Sequence, residues 1–198
     1  MAEEFEVKYI NIKIEDIRRK LKKLNAKLEF DRTYRRLNFE YPDWRLDKNN
    51  SWIRLRDEGD KITLAFKKRL GAGEGKNGND LGMQEIETVV EDYDKTRDIF
   101  LAAGFIIKYD VENKRERWIL DDIEFDIDEY PLLNPYLEIE SSSWEKVEEG
   151  IALLGLDSSQ KKICQTGKIY KGQGIEIADY TVMHFDQQIK RNNKQQHD

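Results

Sequence analysis

The chain carries one cysteine, Cys164, so no intrachain disulfide can staple it, and a lone thiol reads as a small packed hydrophobe before a nucleophile. Histidine is almost as scarce. Only His184 and His197 are present, both in the polar C-terminal stretch, which argues against a histidine-ligated zinc or a Ser–His–Asp triad in the body of the protein. No run approaches the roughly 18 apolar residues of a membrane span. The opening MAEEFEVKYI is too acidic for a secretory signal, so a soluble, cytoplasmic protein is the simplest expectation. An excess of basic charge is also missing: 34 Lys and Arg stand against 40 Asp and Glu, a net charge of −6. Bulk electrostatics therefore gives no reason to expect nucleic acid or an anionic membrane as partner. The chemistry has to run on carboxylates, lysine and arginine.

Charge is what the chain has in quantity. Charged residues make up 37% of the 198, against 38% apolar and 11% aromatic. The aromatic share still supports a packed core, and the length suits one domain with or without appendages. We read 1–171 as one domain and 172–198 as a C-terminal extension without firm pattern, partly disordered, with the disorder expected over 186–198. Alternation predicts strands over 3–10, 32–41, 51–57, 61–69, 83–91, 105–111, 113–120, 122–129 and 136–140. Helical spacing appears at 14–28 (Ile14, Ile17, Leu21, Leu24, Leu28), at 94–103 ending on Gly104, and at 144–154 behind a Ser143 cap. A short helix and tail follow over 158–171. Glu58-Gly59-Asp60 reads as a hairpin turn. The glycine-rich stretch 71–82 lacks the Gly-Lys-Ser/Thr ending of a phosphate loop and precedes a strand, so it reads as a flexible hairpin connection. Many antiparallel strands with a few helices make an α+β domain.

The alternation is unusual in what it alternates. Glu4, Glu6 and Lys8 interleave with Phe5, Val7 and Tyr9; Arg54 and Arg56 flank Leu55; Lys67 follows Phe66; Glu85 and Glu87 enclose Ile86. Glu124, Asp126 and Asp128 interleave with Phe125 and Ile127, while Glu138 and Glu140 enclose Ile139. One reading is an antiparallel sheet with a charged face in water. The other is a closed barrel with the charges in its lumen and helices over its apolar outside. Two features favour closure: the signs segregate by strand, and stacked carboxylates repel unless a cation sits among them. A ligand carrying both signs, such as a metal–triphosphate complex, would satisfy such a lumen, its phosphate oxygens on Arg and Lys and its Mg²⁺ or Mn²⁺ on carboxylates.

Glu-Phe-Glu-Val-Lys at 4–8 matches the ExExK opening of the CYTH family of triphosphate tunnel metalloenzymes, which takes in class IV adenylate cyclases, thiamine triphosphatases and inorganic triphosphatases. The family's order continues in Trp-Ile-Arg-Leu-Arg at 52–56, Ile-Thr-Leu-Ala-Phe-Lys at 62–67 and Glu-Ile-Glu at 85–87. Arg115 before Trp118, Ile-Asp-Glu at 127–129 and Leu-Glu-Ile-Glu at 137–140 complete it. The resemblance covers roughly 3–170 and implies a closed eight-stranded antiparallel tunnel. It implies that Arg54, Arg56, Lys67 and Arg115 hold a triphosphate, with Lys8 nearby, and that Glu4, Glu6, Asp128, Glu138 and Glu140 hold Mg²⁺ or Mn²⁺. Glu4, Glu6 and Lys8 would be catalytic. Glu85, Glu87 and Asp126 would be lumen acids of open role. Asn113 replaces a lysine common in the family, and Arg117, on the face of Arg115, is its best substitute. Arg36 stands where many members carry an acid, and Tyr-Pro-Leu-Leu-Asn-Pro at 130–135 replaces a glycine-rich turn. The resulting expectation is metal-dependent hydrolysis of a small-molecule triphosphate. An adenylate cyclase and a non-catalytic polyphosphate or nucleotide sensor are the alternatives. An RNA 5′-triphosphate end and a homodimer both stay open.

Overall fold

The computed structural model describes residues 5–70, 82–164 and 166–191. Glu4 and the stretches 71–81 and 192–198, on which several of these expectations fall, lie outside the described residues. The chain forms two compact units, Met1–Thr33 with Asn113–Ile177, and Tyr34–Glu112 with Ala178–Asp198. Its strands are β1 (Phe5–Ile10), β2 (Lys27–Glu40), β3 (Ser51–Asp57), β4 (Ile62–Leu70), β5 (Gly82–Val90), β6 (Ile106–Leu120), β7 (Ile123–Glu129), β8 (Tyr136–Ser141), β9 (Tyr180–Met183) and β10 (Gln188–Lys190). Its helices are α1 (Ile14–Lys23), α2 (Arg45–Lys48), α3 (Tyr93–Ala102), α4 (Trp144–Leu153) and α5 (Thr166–Gly172). The α+β class and the antiparallel sheet are as expected. The hydrogen-bonded order β1-β8-β7-β6-β2-β3-β4-β5 has two ends. Among the described residues β1 and β5 do not pair, so backbone pairing does not close the expected barrel there.

In the first unit, β8 lies between β1 and β7 and places Val7 opposite Ile139 and Ile139 opposite Phe125; β6 adds Trp118 opposite Phe125. This apolar face is buried under α1 and α4 through Ile17, Leu21, Val147, Ile151 and Leu154. Gly150 lets α4 approach: a Cβ there would stand 3.0 Å from Ile139, 3.1 Å from Ile123 and 3.3 Å from Phe125. Ser143 caps α4 by accepting the Lys146 N–H, as its position predicts. α1 stops at Lys23, short of the predicted Leu28. Asn25 takes a left-handed φ of 60° and the Ala26 N–H reaches back to the Leu21 carbonyl, a stop signal that asparagine supports. The strand predicted from residue 32 therefore begins at Lys27.

In the second unit, Leu37, Phe39 and Leu55 form the core with Phe100, Phe105 and Ile107, roofed by α3. Asp92 caps α3 by accepting the Lys95 N–H, and Gly104 ends it at a φ of 91°. The β3–β4 hairpin turns at Gly59, φ 87°. The strands predicted at 105–111 and 113–120 are one strand, β6, because nothing at Glu112 turns the chain. Residues 180–190, where the sequence shows no firm pattern, form the β9–β10 hairpin, with β9 parallel to β6. Residues 188–190, expected to be without order, are β10. No helix among the described residues is long and apolar enough to cross a membrane.

Candidate functional site

The other face of the first unit's sheet is a charged ladder. Pairing aligns Glu6 with Glu140 and Glu140 with Glu124; Lys8 with Glu138, Asp126 and Arg117; and Tyr136 with Asp128 and Arg115. Strand alternation alone brings these residues to one side. Two acid trios result, Glu6–Glu138–Glu140 and Glu124–Asp126–Glu140. Within each, one carboxylate oxygen per residue lies within 4.8 Å of the others.

Cations thread the acids. Lys8, 3% exposed, donates to Glu6 at 2.6 Å and lies 3.1 Å from Glu138. Arg115 clamps Asp128 through Nε and Nη2 at 2.8 and 2.7 Å, and its Nη1 reaches Asp126 at 2.6 Å. Arg117 holds Asp126 the same way and meets Glu124 at 2.5 Å. Asp128 and Asp126 are 0% and 1% exposed, and burying an unpaired carboxylate is costly; burial pushes the Asp128 carboxyl up while Arg115 pulls the other way. Burial, then the charge of Glu138, pushes the Glu6 carboxyl up, while Lys8 pulls the other way. Burial also opposes ionisation of Glu138, but Arg115 and Lys8 outweigh it and hold that carboxyl low. Lys8 is held above the usual lysine range because Glu138 and Glu6 overcome its burial.

The second unit has its own charged face. Arg54 lies 3.2 Å from Glu87 and 3.7 Å from Glu85, and Lys67 lies 2.8 Å from Glu85. Arg56 is bound by Glu58 at 2.5 Å, an oxygen that also accepts from Thr63 at 3.1 Å. Burial, then Arg56, lowers the Arg54 guanidinium from its ordinary range. Its Nε is buried without an acceptor among the described residues, a donor that calls for one.

Of the site residues expected from the sequence, Glu6, Lys8, Arg115, Arg117, Asp126, Asp128, Glu138 and Glu140 converge in the first unit. Arg54, Arg56, Lys67, Glu85 and Glu87 converge in the second, and Glu4 lies outside the described residues. Asp128 is in neither trio and serves as the partner of Arg115. Glu124 and Glu58 are the additions. Glu124 shares the alternation of Asp126 and Asp128, which is signal enough to have included it. Glu58 sits in a turn and carries no such signal.

A CYTH domain profile matches residues 2–168. A protein of Methanocaldococcus jannaschii, provisionally named an adenylate cyclase, is 29% identical over 136 residues, 67% of this chain and 75% of its own. A conserved hypothetical protein from Pyrococcus furiosus has a similar structure, TM-score 0.62 at 22% identity, over 84% of this chain and 99% of that one. So does a Hippeastrum protein, TM-score 0.62 at 15% identity, over 89% and 99%; it is described as a provisional adenylyl cyclase that reveals a dominant triphosphatase activity.

Proposed function

The chain belongs to the CYTH domain family, and from that premise we propose that it hydrolyses a small-molecule triphosphate, inorganic or organic, with a divalent cation. The observation that carries this reading is the Glu6–Glu138–Glu140 trio, three oxygen donors within 4.8 Å on a face where Lys8 is buried and Arg115 half-buried. Burial, and then the charge of Glu138, raises the Glu6 carboxyl there, and an all-oxygen donor set of that kind fits Mg²⁺ or Mn²⁺. Glu6, Glu138 and Glu140 would hold the ion, with Glu4 assigned beside them by its place in the ExExK motif. When bound, the ion supplies charge neutralisation on phosphate oxygens and a more acidic attacking water.

The chain's own residues do the rest. Arg115, locked by Asp128 and Asp126, offers a guanidinium that need not reorganise as charge grows on the phosphate, the source of most electrostatic catalysis. Lys8, kept protonated by its two glutamates, adds a point charge. On the second unit's own charged face, the Arg54 Nε lacks an acceptor among the described residues, and a phosphate oxygen with Arg56 and Lys67 beside it would supply one. Glu6, the most accessible of the trio's carboxylates, accepts the proton of the attacking water. The Hippeastrum protein's described activity favours hydrolysis over cyclisation.

Incubation with tripolyphosphate, ATP and thiamine triphosphate, with Mg²⁺ and Mn²⁺ in turn, tests this reading. Phosphate release that falls at least 100-fold in Glu6→Gln is expected, the scale of a lost general base. Cyclic AMP and pyrophosphate from ATP would replace it with the cyclase reading. Binding without any product would leave a sensor.

A further inference from the structure

The second unit holds a cluster that this function does not use. The β9–β10 hairpin loop carries His184, the one histidine among the described residues, and Asp186, and it lies against Glu112 of β6. We propose that Glu112, His184 and Asp186 bind a divalent transition-metal ion of the zinc class, which ties the hairpin to β6.

One ligand atom from each of the three residues lies within 4.8 Å of the other two. Donors about 2.0–2.2 Å from one ion stand at most about 4.4 Å apart, so small side-chain adjustments close the set. The ring is already oriented. His184 Nε2 is 2.8 Å from Asp110 Oδ1, and Asp110 is in turn held by Arg35 Nη2 at 3.1 Å. An imidazole that donates from Nε2 to a carboxylate carries its lone pair on Nδ1, the arrangement common around metal-bound histidines.

The backbone fixes the rest. Parallel pairing sets Asp110 against Val182 and Val111 against Met183, which delivers His184 beside Glu112. The Phe185 N–H donates to Glu112 at 3.2 Å. The loop is closed by the His184 N–H on the Gln187 carbonyl at 2.8 Å and by Gln188 Nε2 on the His184 carbonyl at 2.7 Å. Glu112 and Asp186 thus gather at an imidazole whose Nε2 meets Asp110, and a cation balances them. Glu112 and His184 are half-buried and Asp186 is exposed, which leaves an entry path and room for a water as fourth ligand. Donor type separates this site from the first unit's trio: one imidazole with carboxylates suits a borderline ion, all-carboxylate oxygen a hard one. His184 and Asp186 also lie beyond residues 2–168 that match the family, so two of the three ligands come from this chain's extension.

The test uses the full chain with ¹⁵N-labelled histidine and His197→Gln, so that His184 gives the only ring signals. Zinc should shift them to a saturating limit. Calorimetry should show at least ~100-fold weaker zinc binding in His184→Ala and in the Glu112→Gln/Asp186→Asn double variant. Asp110→Asn should weaken it ~10–100-fold, the usual effect of losing an orienting carboxylate. Glu138→Gln, in the first unit, should leave this affinity unchanged. A ring that zinc does not move, or that moves equally in the double variant, overturns the proposal and leaves a histidine–aspartate pair.

Discussion

Arg115 shows how much a single side chain can carry. It holds Asp128 with two prongs and shares Asp126 with Arg117, both carboxylates almost wholly buried, so its loss strands Asp128 and strips Asp126 of one of its two partners. Arg115→Met should lower stability by about 3–5 kcal/mol, the cost of breaking a buried ion pair, read from urea unfolding. Its role on substrate separates from that cost: Arg115→Lys keeps a charge but loses the two-pronged grip on Asp128 and should lower kcat/KM further than stability explains. The identity of these residues was legible, because Glu124, Asp126 and Asp128 announce a face by alternating with Phe125 and Ile127. Their pairing was not. That Arg115 meets Asp128 and Arg117 meets Asp126 follows from the register of β6 on β7, which no local pattern encodes. His184 was farther out of reach, since its partner Asp110 lies 74 positions away.

Elements end where one or two side chains say so. Ser143→Ala should cost α4 about 1 kcal/mol, as lost N-caps do. Gly150→Val should cost roughly 3 kcal/mol, the upper end for overpacking, since the branches of Ile139 and Ile123 are 3.0 and 3.1 Å from even a Cβ; thermal unfolding reads both. Asp92 makes the capping of α3 pH-dependent. The Lys95 backbone N–H and ammonium hold its carboxyl below the ordinary value of 3.8, so its stabilisation is complete above about pH 4 and is lost as pH falls through the depressed value. The Tm gap between the parent and Asp92→Asn should therefore shrink between pH 5 and pH 2. Ser143 was visible as a cap because Ser before an apolar run is a strong start signal, whereas the cap at Asp92 emerged only with the start of α3 at Tyr93. The end of α1 was missed because Leu24 and Leu28 continue the helical spacing past Asn25, and the left-handed turn outweighed the periodicity.

At the scale of the molecule, 37% charged residues are accommodated because each unit segregates them to one face of its sheet and packs helices on the other. A cation that binds only the folded chain should then stabilise it. Mn²⁺ at a hundredfold excess over its Kd should add about 2.7 kcal/mol, and Glu138→Gln should remove most of that gain in a Tm titration. Fold class and the sense of the faces could be read from the sequence, because both are properties of alternation; the division into two units could not. Each unit is assembled from two separated stretches, 1–33 with 113–177 and 34–112 with 178–198. A ribosome therefore releases the first piece of each long before its complement. A nascent chain cut anywhere before residue 113 contains neither unit whole. The first unit is complete once residue 177 has emerged, while the second waits for the hairpin that carries His184. Vectorial synthesis thus leaves the chain exposed for most of its length, and a premature stop near residue 177 should deliver one unit complete and the other deprived of its last strands.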